Sequence, residues 1–141
     1  MLTLVEEDGA LCEVRFGQST DIPQGDSALL RQAVEQMDAY FAGRLHAFTV
    51  PVRMNGTPFQ VRCWQALLQI PYGETRTYAQ QAAMIGSPKA CRAVGMSNHR
   101  NPLPIVVPCH RVVGAKGKLT GYAGGIETKE TLLRIERMNP S

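Results

Sequence analysis

Residues 104–111 read Pro-Ile-Val-Val-Pro-Cys-His-Arg, a β-branched apolar run that ends on a thiol. Sulfur is a nucleophile as the thiolate, and imidazole or cationic neighbours raise the thiolate share. Pro104 and Pro108 bracket the run. Proline lacks an N–H and fixes φ, so the segment is neither helix interior nor central strand. Cys109 is therefore expected on a constrained loop emerging from a core. Beside His110 and Arg111, its pKa is expected to be lowered. A hydrolase dyad is disfavoured, because adjacent side chains of an extended chain point apart.

The other thiols read differently. Cys63 and Cys91 fall in helical patterns and Cys12 in a strand-like run, so all three are expected as small core side chains. No Cys-x-x-Cys and no zinc-like Cys/His spacing occurs among the four cysteines, so no metal is expected. Reduced thiols point to a cytoplasmic protein. No segment has the roughly 20 apolar residues of a membrane span, and Met1–Asp8 lacks the basic start of a secretory signal. His46 and His99 read as surface residues.

The net charge of +3 hides an asymmetry. Residues 1–56 carry four arginines against eight acids, a balance of −4; residues 57–141 carry eleven Lys/Arg against four acids, a balance of +7. A basic half suits a polyanionic partner, although a solvated basic face is the commoner cause of such a bias.

The chain must supply elements that hold Cys109. Asp8-Gly9 between apolar runs predicts a hairpin, 2–6 with 11–16. Ser27 is expected to cap a helix whose buried positions are Leu30, Val34, Met37 and Phe41, ended by Gly43. Two strands and one helix make a small, shortened N-terminal domain (1–54) that leans on the rest. Thr57-Pro58 opens a helix over 59–70 with Phe59, Cys63, Leu67 and Ile70 on one stripe. Thr77-Tyr78-Ala79-Gln80 is a capping box for a helix through Ile85, Gly86 turns the chain, and Ser87-Pro88 caps a second helix over 89–96. This helix-turn-helix pattern puts Lys89 and Arg92 near the start of a thin helix built on Ala90, Ala93 and Gly95. Two tightly packed helices would show the same small residues. A Gly-rich stretch over 114–125 lacks the phosphate-loop pattern. A helix over 127–137 closes the chain, with Leu132, Leu133 and Ile135 buried and Glu136 inward. The fold class is α+β: the hairpin-plus-helix domain, then a mainly helical, winged helix-turn-helix-like domain (55–141).

Asn101-Pro-Leu-Pro-Ile-Val-Val-Pro-Cys109-His110-Arg111-Val-Val-Gly resembles the active-site signature of the O6-alkylguanine-DNA alkyltransferases. The similarity runs from about Phe59 to Glu136 and includes Gly73-Glu74, Thr77-Tyr78, Ser87-Pro88-Lys89-Ala90, Arg92–Gly95, Tyr122-x-Gly124-Gly125 and Lys129-Glu130. The resemblance implies DNA repair: methyl or larger alkyl groups move irreversibly from O6-alkylguanine, and from O4-alkylthymine, to Cys109, without a cofactor. It implies that His110 acts as base through a water, that Glu136 orients His110 and that Asn101 braces the loop. It makes Tyr78 the residue that presses on the target phosphate and protonates the purine. Arg92 fills the space of the flipped base. Ala90, Ala93 and Gly95 line the minor-groove face of a recognition helix. Backbone at Val112, Tyr122 and Ala123 holds the extruded base, and Gly124 and Gly125 let it approach. The partner is double-stranded DNA, met by a monomer.

Two departures stand out. The N-terminal domain starts late; in the family it does no chemistry, so the change bears on stability. Ala123 stands where some members have serine. Alkyltransferase-like relatives that sense alkylated guanine without removing it are the alternative, but they lack the cysteine present here.

Overall fold

The computed structural model describes residues 2–17, 25–122 and 124–140. Strands β1 (Leu2–Glu7) and β2 (Ala10–Phe16) pair antiparallel with Glu7 opposite Ala10. Asp8 and Gly9 both take positive φ, 51° and 78°, the geometry of the two-residue turn that matches strand twist. Helix α1 (Ala28–Phe41) starts at Ser27, whose hydroxyl accepts from Leu30 N–H. Its buried stripe is Ala33, Met37 and Tyr40, while Val34 and Phe41 are exposed. The buried face is thus turned by about one residue from the expected 30/34/37/41 stripe. The cause is that Tyr40, an amphipathic ring, goes inward and finds a partner for its hydroxyl.

Helix α2 (Pro58–Leu67) opens with a complete capping box between Thr57 and Gln60. It ends at Leu67, three residues before Ile70, and Leu68 is exposed. Helix α3 (Tyr78–Met84) carries the second capping box, Thr77 with Gln80. Helix α4 (Cys91–His99) begins later than expected: Ser87 and Pro88 belong to the preceding turn, closed by Ala90 N–H on Ser87 O, and no side chain caps the helix. Cys91 is only half-buried, because this first turn lies at the surface. Strand β3 (Arg76–Thr77) pairs in parallel with β4 (Val112–Val113), and α5 (Ile126–Met138) follows. On α5 Leu132, Leu133 and Glu136 are buried, whereas Ile135 is half-buried.

One apolar core runs through both halves, from Leu11, Met37 and Tyr40 to Trp64, Leu103, Val107 and Leu132. Backbone bonds fasten the hairpin to it: Leu11 N–H reaches Pro51 O, Arg53 N–H reaches Leu11 O, and Val14 N–H reaches Pro102 O at 2.8 Å. The last bond ties β2 to the chain just ahead of the 104–111 run. Helix α4 is anchored from below. Gln81 and Asn98 exchange two amide hydrogen bonds of 2.9 and 2.7 Å inside the core, and the Trp64 indole donates to Ser97 O. Buried amides paired on both sides fix the angle between α3 and α4.

Candidate active site

The 104–111 segment is a braced turn. Asn101 is buried; its Nδ2 donates to Val107 O at 2.8 Å and its Oδ1 accepts from Leu103 N–H at 2.9 Å. Between these anchors Ile105 sits at φ 76°. A β-branched residue in the left-handed region is strained, by about 1–3 kcal/mol, and persists only when its surroundings dictate it. The apolar side chains of Leu103, Ile105 and Val107, all nearly fully buried, supply that force. Cys109 then opens a single 3-10 turn, Cys109–Arg111.

Behind the thiol lies a buried relay. His110 Nε2 is 2.6 Å from Glu136 Oε2. Against an ionised carboxylate, Nε2 must carry the proton, which leaves Nδ1 as the acceptor. Nδ1 is buried and has no protein partner. Burial pushes the His110 pKa down, against the upward pull of Glu136, so the ring is neutral and can accept a proton. Burial alone would raise the Glu136 pKa, but hydrogen bonds from His110, Arg111 and Tyr40 outweigh it and hold the carboxyl at about 2. Arg111 binds Glu136 through Nε at 2.9 Å and Nη2 at 3.1 Å, and Ile70 O through Nη1 at 2.8 Å.

Arg111 therefore serves Glu136, not the thiol. Burial raises the Cys109 pKa, contrary to the expected lowering, while Asn101, Lys129 and the local backbone pull it back down. The cation that faces the thiol is Lys129, itself buried on α5 and with its pKa lowered by burial. The sulfur thus rests as the neutral thiol and needs a base when it reacts.

Cys109 forms part of the wall of a cavity of about 20 Å³, shared with Tyr78, Gly95, Asn98, His99, Gly121 and Tyr122. That is room for a water but not for a purine. Tyr78 Oη pairs with Thr120 Oγ1 at 2.7 Å, so α3 holds the far wall, 118–122, against the site. His99 was expected at the surface; it is exposed and also lines this cavity. His46 stacks on Tyr72, with ring centroids 4.1 Å apart, and takes no part in the cavity.

Other residues singled out from the sequence spread outward. Arg92 and Ala93 are exposed on α4, Ala90 and Gly95 are half-buried, and Val112 is buried in β4. Added at Gly95, a Cβ would lie 3.8 Å from the Tyr78 ring, an ordinary contact, so this glycine keeps the cavity open rather than relieving a clash. Ala123 lies outside the described residues. Gly124 has a second neighbour to accommodate: a Cβ there would lie 2.7 Å from the Phe16 ring. Its bareness admits Phe16 of β2, which packs edge-on against Tyr122 at 5.8 Å. Gly124→Ala is expected to destabilise the fold by about 1–3 kcal/mol through forced movement of Phe16, read as a fall in the urea midpoint. An unchanged midpoint would show that the ring moves freely.

Tyr40 was missed altogether. Its hydroxyl donates to Glu136 Oε2 at 2.6 Å across 96 residues of chain, and only its place among the 3.6-residue positions of α1 could have hinted at an inward ring.

Comparison with known proteins matches two family models: the 6-O-methylguanine DNA methyltransferase DNA binding domain over residues 58–138, and the ribonuclease-like domain of the same family over residues 1–54. The methylated-DNA–protein-cysteine methyltransferase of Mycobacterium bovis is 50% identical over 141 aligned residues, covering 96% of this chain and 86% of that protein. Its namesake in Methanosarcina acetivorans is 59% identical over 106 residues, 75% of this chain and 68% of the relative. The crystal structure of Mycobacterium tuberculosis OGT in complex with DNA superposes with a TM-score of 0.90 at 49% identity, covering 98% of this chain and 87% of the other.

Proposed function

This chain belongs to the 6-O-methylguanine DNA methyltransferase family, and on that premise we propose that Cys109 is the sulfur that receives the alkyl group. The activity is DNA repair by direct transfer from O6-alkylguanine to protein, and the partner is DNA. The observation that carries the assignment of Cys109 is its place in the cavity wall, next in sequence to a neutral His110 whose Nε2 is tied to Glu136 and whose Nδ1 is unclaimed.

Sulfur attacks the alkyl carbon in line. The S–C bond forms as the C–O6 bond breaks, and the electron pair leaves with the guanine oxygen. The thiol proton passes through a water to His110 Nδ1, which is why a resting thiol is acceptable here. Tyr78, in the opposite wall, gives its hydroxyl proton to the purine, so guanine leaves neutral; the tyrosinate takes a proton back from water and the His110 imidazolium releases its own to solvent. Asn101 keeps the loop rigid, and backbone at Val112, Tyr122 and Ala123 receives the base. A thioether is a poor leaving group, so each molecule acts once.

A base inside a duplex cannot reach a buried sulfur and has to be flipped out. The cavity then has to widen, and the 118–122 wall is the segment that yields. Helix α4 enters the minor groove, its small Ala90, Ala93 and Gly95 allowing depth and Arg92 replacing the extruded base in the stack. The protein works as a monomer, in the cytoplasm, where thiols stay reduced. Among the described residues no helix is long and apolar enough to cross a membrane.

Incubation with a duplex carrying a single O6-methylguanine tests the assignment by intact mass. The protein is expected to gain one methyl group per molecule, on the peptide that contains Cys109, and no more on prolonged incubation. Tight binding with no gain in mass would instead make the chain a sensor of alkylated guanine. A gain on Cys12, Cys63 or Cys91 would remove Cys109 from its role.

A further inference from the structure

The Glu136 carboxylate is saturated with donors. Oε1 accepts from Gly73 N–H at 3.1 Å and Arg111 Nε at 2.9 Å; Oε2 accepts from His110 Nε2 at 2.6 Å, Arg111 Nη2 at 3.1 Å and the Tyr40 hydroxyl at 2.6 Å. A carboxylate offers about four lone-pair directions, so nothing is left over. Four of the five donors come from residues after 70. The fifth, Tyr40, comes from α1 in the N-terminal half. Its ring is 1% exposed, meets Tyr72 edge-on, and brings the hydroxyl to 3.2 Å from His110 Nε2. Ring packing alone needs no hydroxyl, and a phenol buried here without an acceptor would be costly.

Each donor on a carboxylate weakens its basicity and so its pull on a neighbouring imidazolium. The groups that face His110 sort by sign. Glu136 on α5 draws a proton onto the ring. Lys129 on α5 and Arg111 on the same turn repel it, and Cys109 beside it is neutral at rest. From α1 and from the segment after α2, Tyr40 and Tyr72 are both held as neutral phenols by burial and by Glu136.

We propose that Tyr40 is a positioning residue for alkyl transfer: its hydroxyl fixes the Glu136 carboxylate in the orientation that meets His110 and quenches enough of its charge to keep the imidazole free to take the thiol proton. The inference rests on the reading of Cys109 and His110 given above. It makes the N-terminal half part of the chemistry, where sequence reasoning gave it a purely supporting role.

Tyr40→Phe keeps the ring and removes the donor. In the DNA-free protein, ¹⁵N NMR titration is expected to place the His110 pKa about one unit above wild type, the size of a single charge-assisted hydrogen bond. The acid limb of the single-turnover rate, followed by methyl transfer from pH 5 to 9, moves up by the same amount. Transfer is about tenfold slower below the limb and unchanged above it. Site-specific 3-fluorotyrosine at position 40, a stronger donor, moves both quantities the other way. A rate lowered equally at every pH, or a His110 titration that does not move, would reduce Tyr40 to packing and overturn the inference. Should wild type transfer no methyl at all, the assignment of Cys109 falls instead, and the NMR titration still decides what the hydroxyl does.

Discussion

Cys109→Ser is expected to abolish alkyl transfer, by about 10⁴-fold or more, while the protein still folds and still binds duplex DNA. The substitution exchanges sulfur for a smaller oxygen in a site where the side chain is 8% exposed. The braced turn does not depend on the sulfur, because Asn101 holds Val107 O and Leu103 N–H through its own amide. What changes is nucleophilicity: a buried hydroxyl has almost no anionic form near neutral pH, and removal of an attacking atom eliminates the step it performs. DNA affinity, by contrast, is expected to come largely from phosphate contacts, for which exposed cations such as Lys89 and Arg100 are available. It is expected to fall with salt along the same slope in wild type and variant. Fluorescence anisotropy against salt and peptide mass after incubation read the two quantities separately. Loss of binding along with transfer would mean that Cys109 shapes the fold instead of reacting.

The parts of this site that the sequence discloses are those encoded by neighbours. Prolines four residues apart, a thiol directly after the second and a histidine after that are chain-local facts, and the braced turn follows from them. The capping box of Thr77 with Gln80 and the helix start at Thr57-Pro58 are also written within four residues and form as expected, the Gln60 half of the Thr57 box being an addition of the structure. Glu136 could be placed inward because Leu132 and Leu133 lie one turn before it.

The misreadings share a cause, which is partner choice over long range. Arg111 follows His110 in sequence and was assigned to the thiol, yet its guanidinium finds a carboxylate 25 residues away. The stripe of α1 was drawn through Leu30, Val34, Met37 and Phe41. The fold instead buries Tyr40, whose hydroxyl has an ionised acceptor waiting on α5. Gly124 was read only for the approach of a base, and the contact its bareness allows with Phe16, from a strand more than 100 residues earlier, went unseen. The exception is local: Ser87-Pro88 has the composition of a helix cap, but the turn bond from Ala90 to Ser87 delays the helix. The long-range pairings themselves leave no trace in neighbouring residues.

Glu136→Ala is expected to cost the most stability, about 3–5 kcal/mol, because it strands the charges and donors that converge on the carboxylate. Arg111 is 7% exposed and would keep only Ile70 O and the face of the Tyr72 ring against its charge. The Tyr40 hydroxyl, the Gly73 N–H and His110 Nε2–H would lose their acceptor inside the core. Against a total of about 5–15 kcal/mol this is a large share, and a fall of roughly 10–20 °C in Tm is expected for a chain of this size. The pH dependence identifies the source. Glu136 has a folded pKa of about 2 against an ordinary value of 4.5, so the folded state binds fewer protons than the unfolded state between them. Its contribution is complete above about pH 4.5 and drains away as the pH falls toward 2. His110, held neutral in the fold with its pKa below the ordinary 6.5, has the same sign: protonation of the unfolded chain weakens the fold as the pH drops below 6.5. Wild type should therefore lose stability steadily on acidification. Glu136→Ala also removes the carboxylate that pulls the His110 pKa up, so the variant's loss from His110 is at least as large as that of wild type; the gap between the two should therefore not narrow from pH 8 to 5, and the part owed to Glu136 drains away below about 4.5. Urea unfolding at a series of pH values measures that gap. A gap under about 1 kcal/mol at neutral pH, or one that stays constant down to pH 3, would mean that the carboxylate is not the hub that holds Arg111, His110 and Tyr40 together.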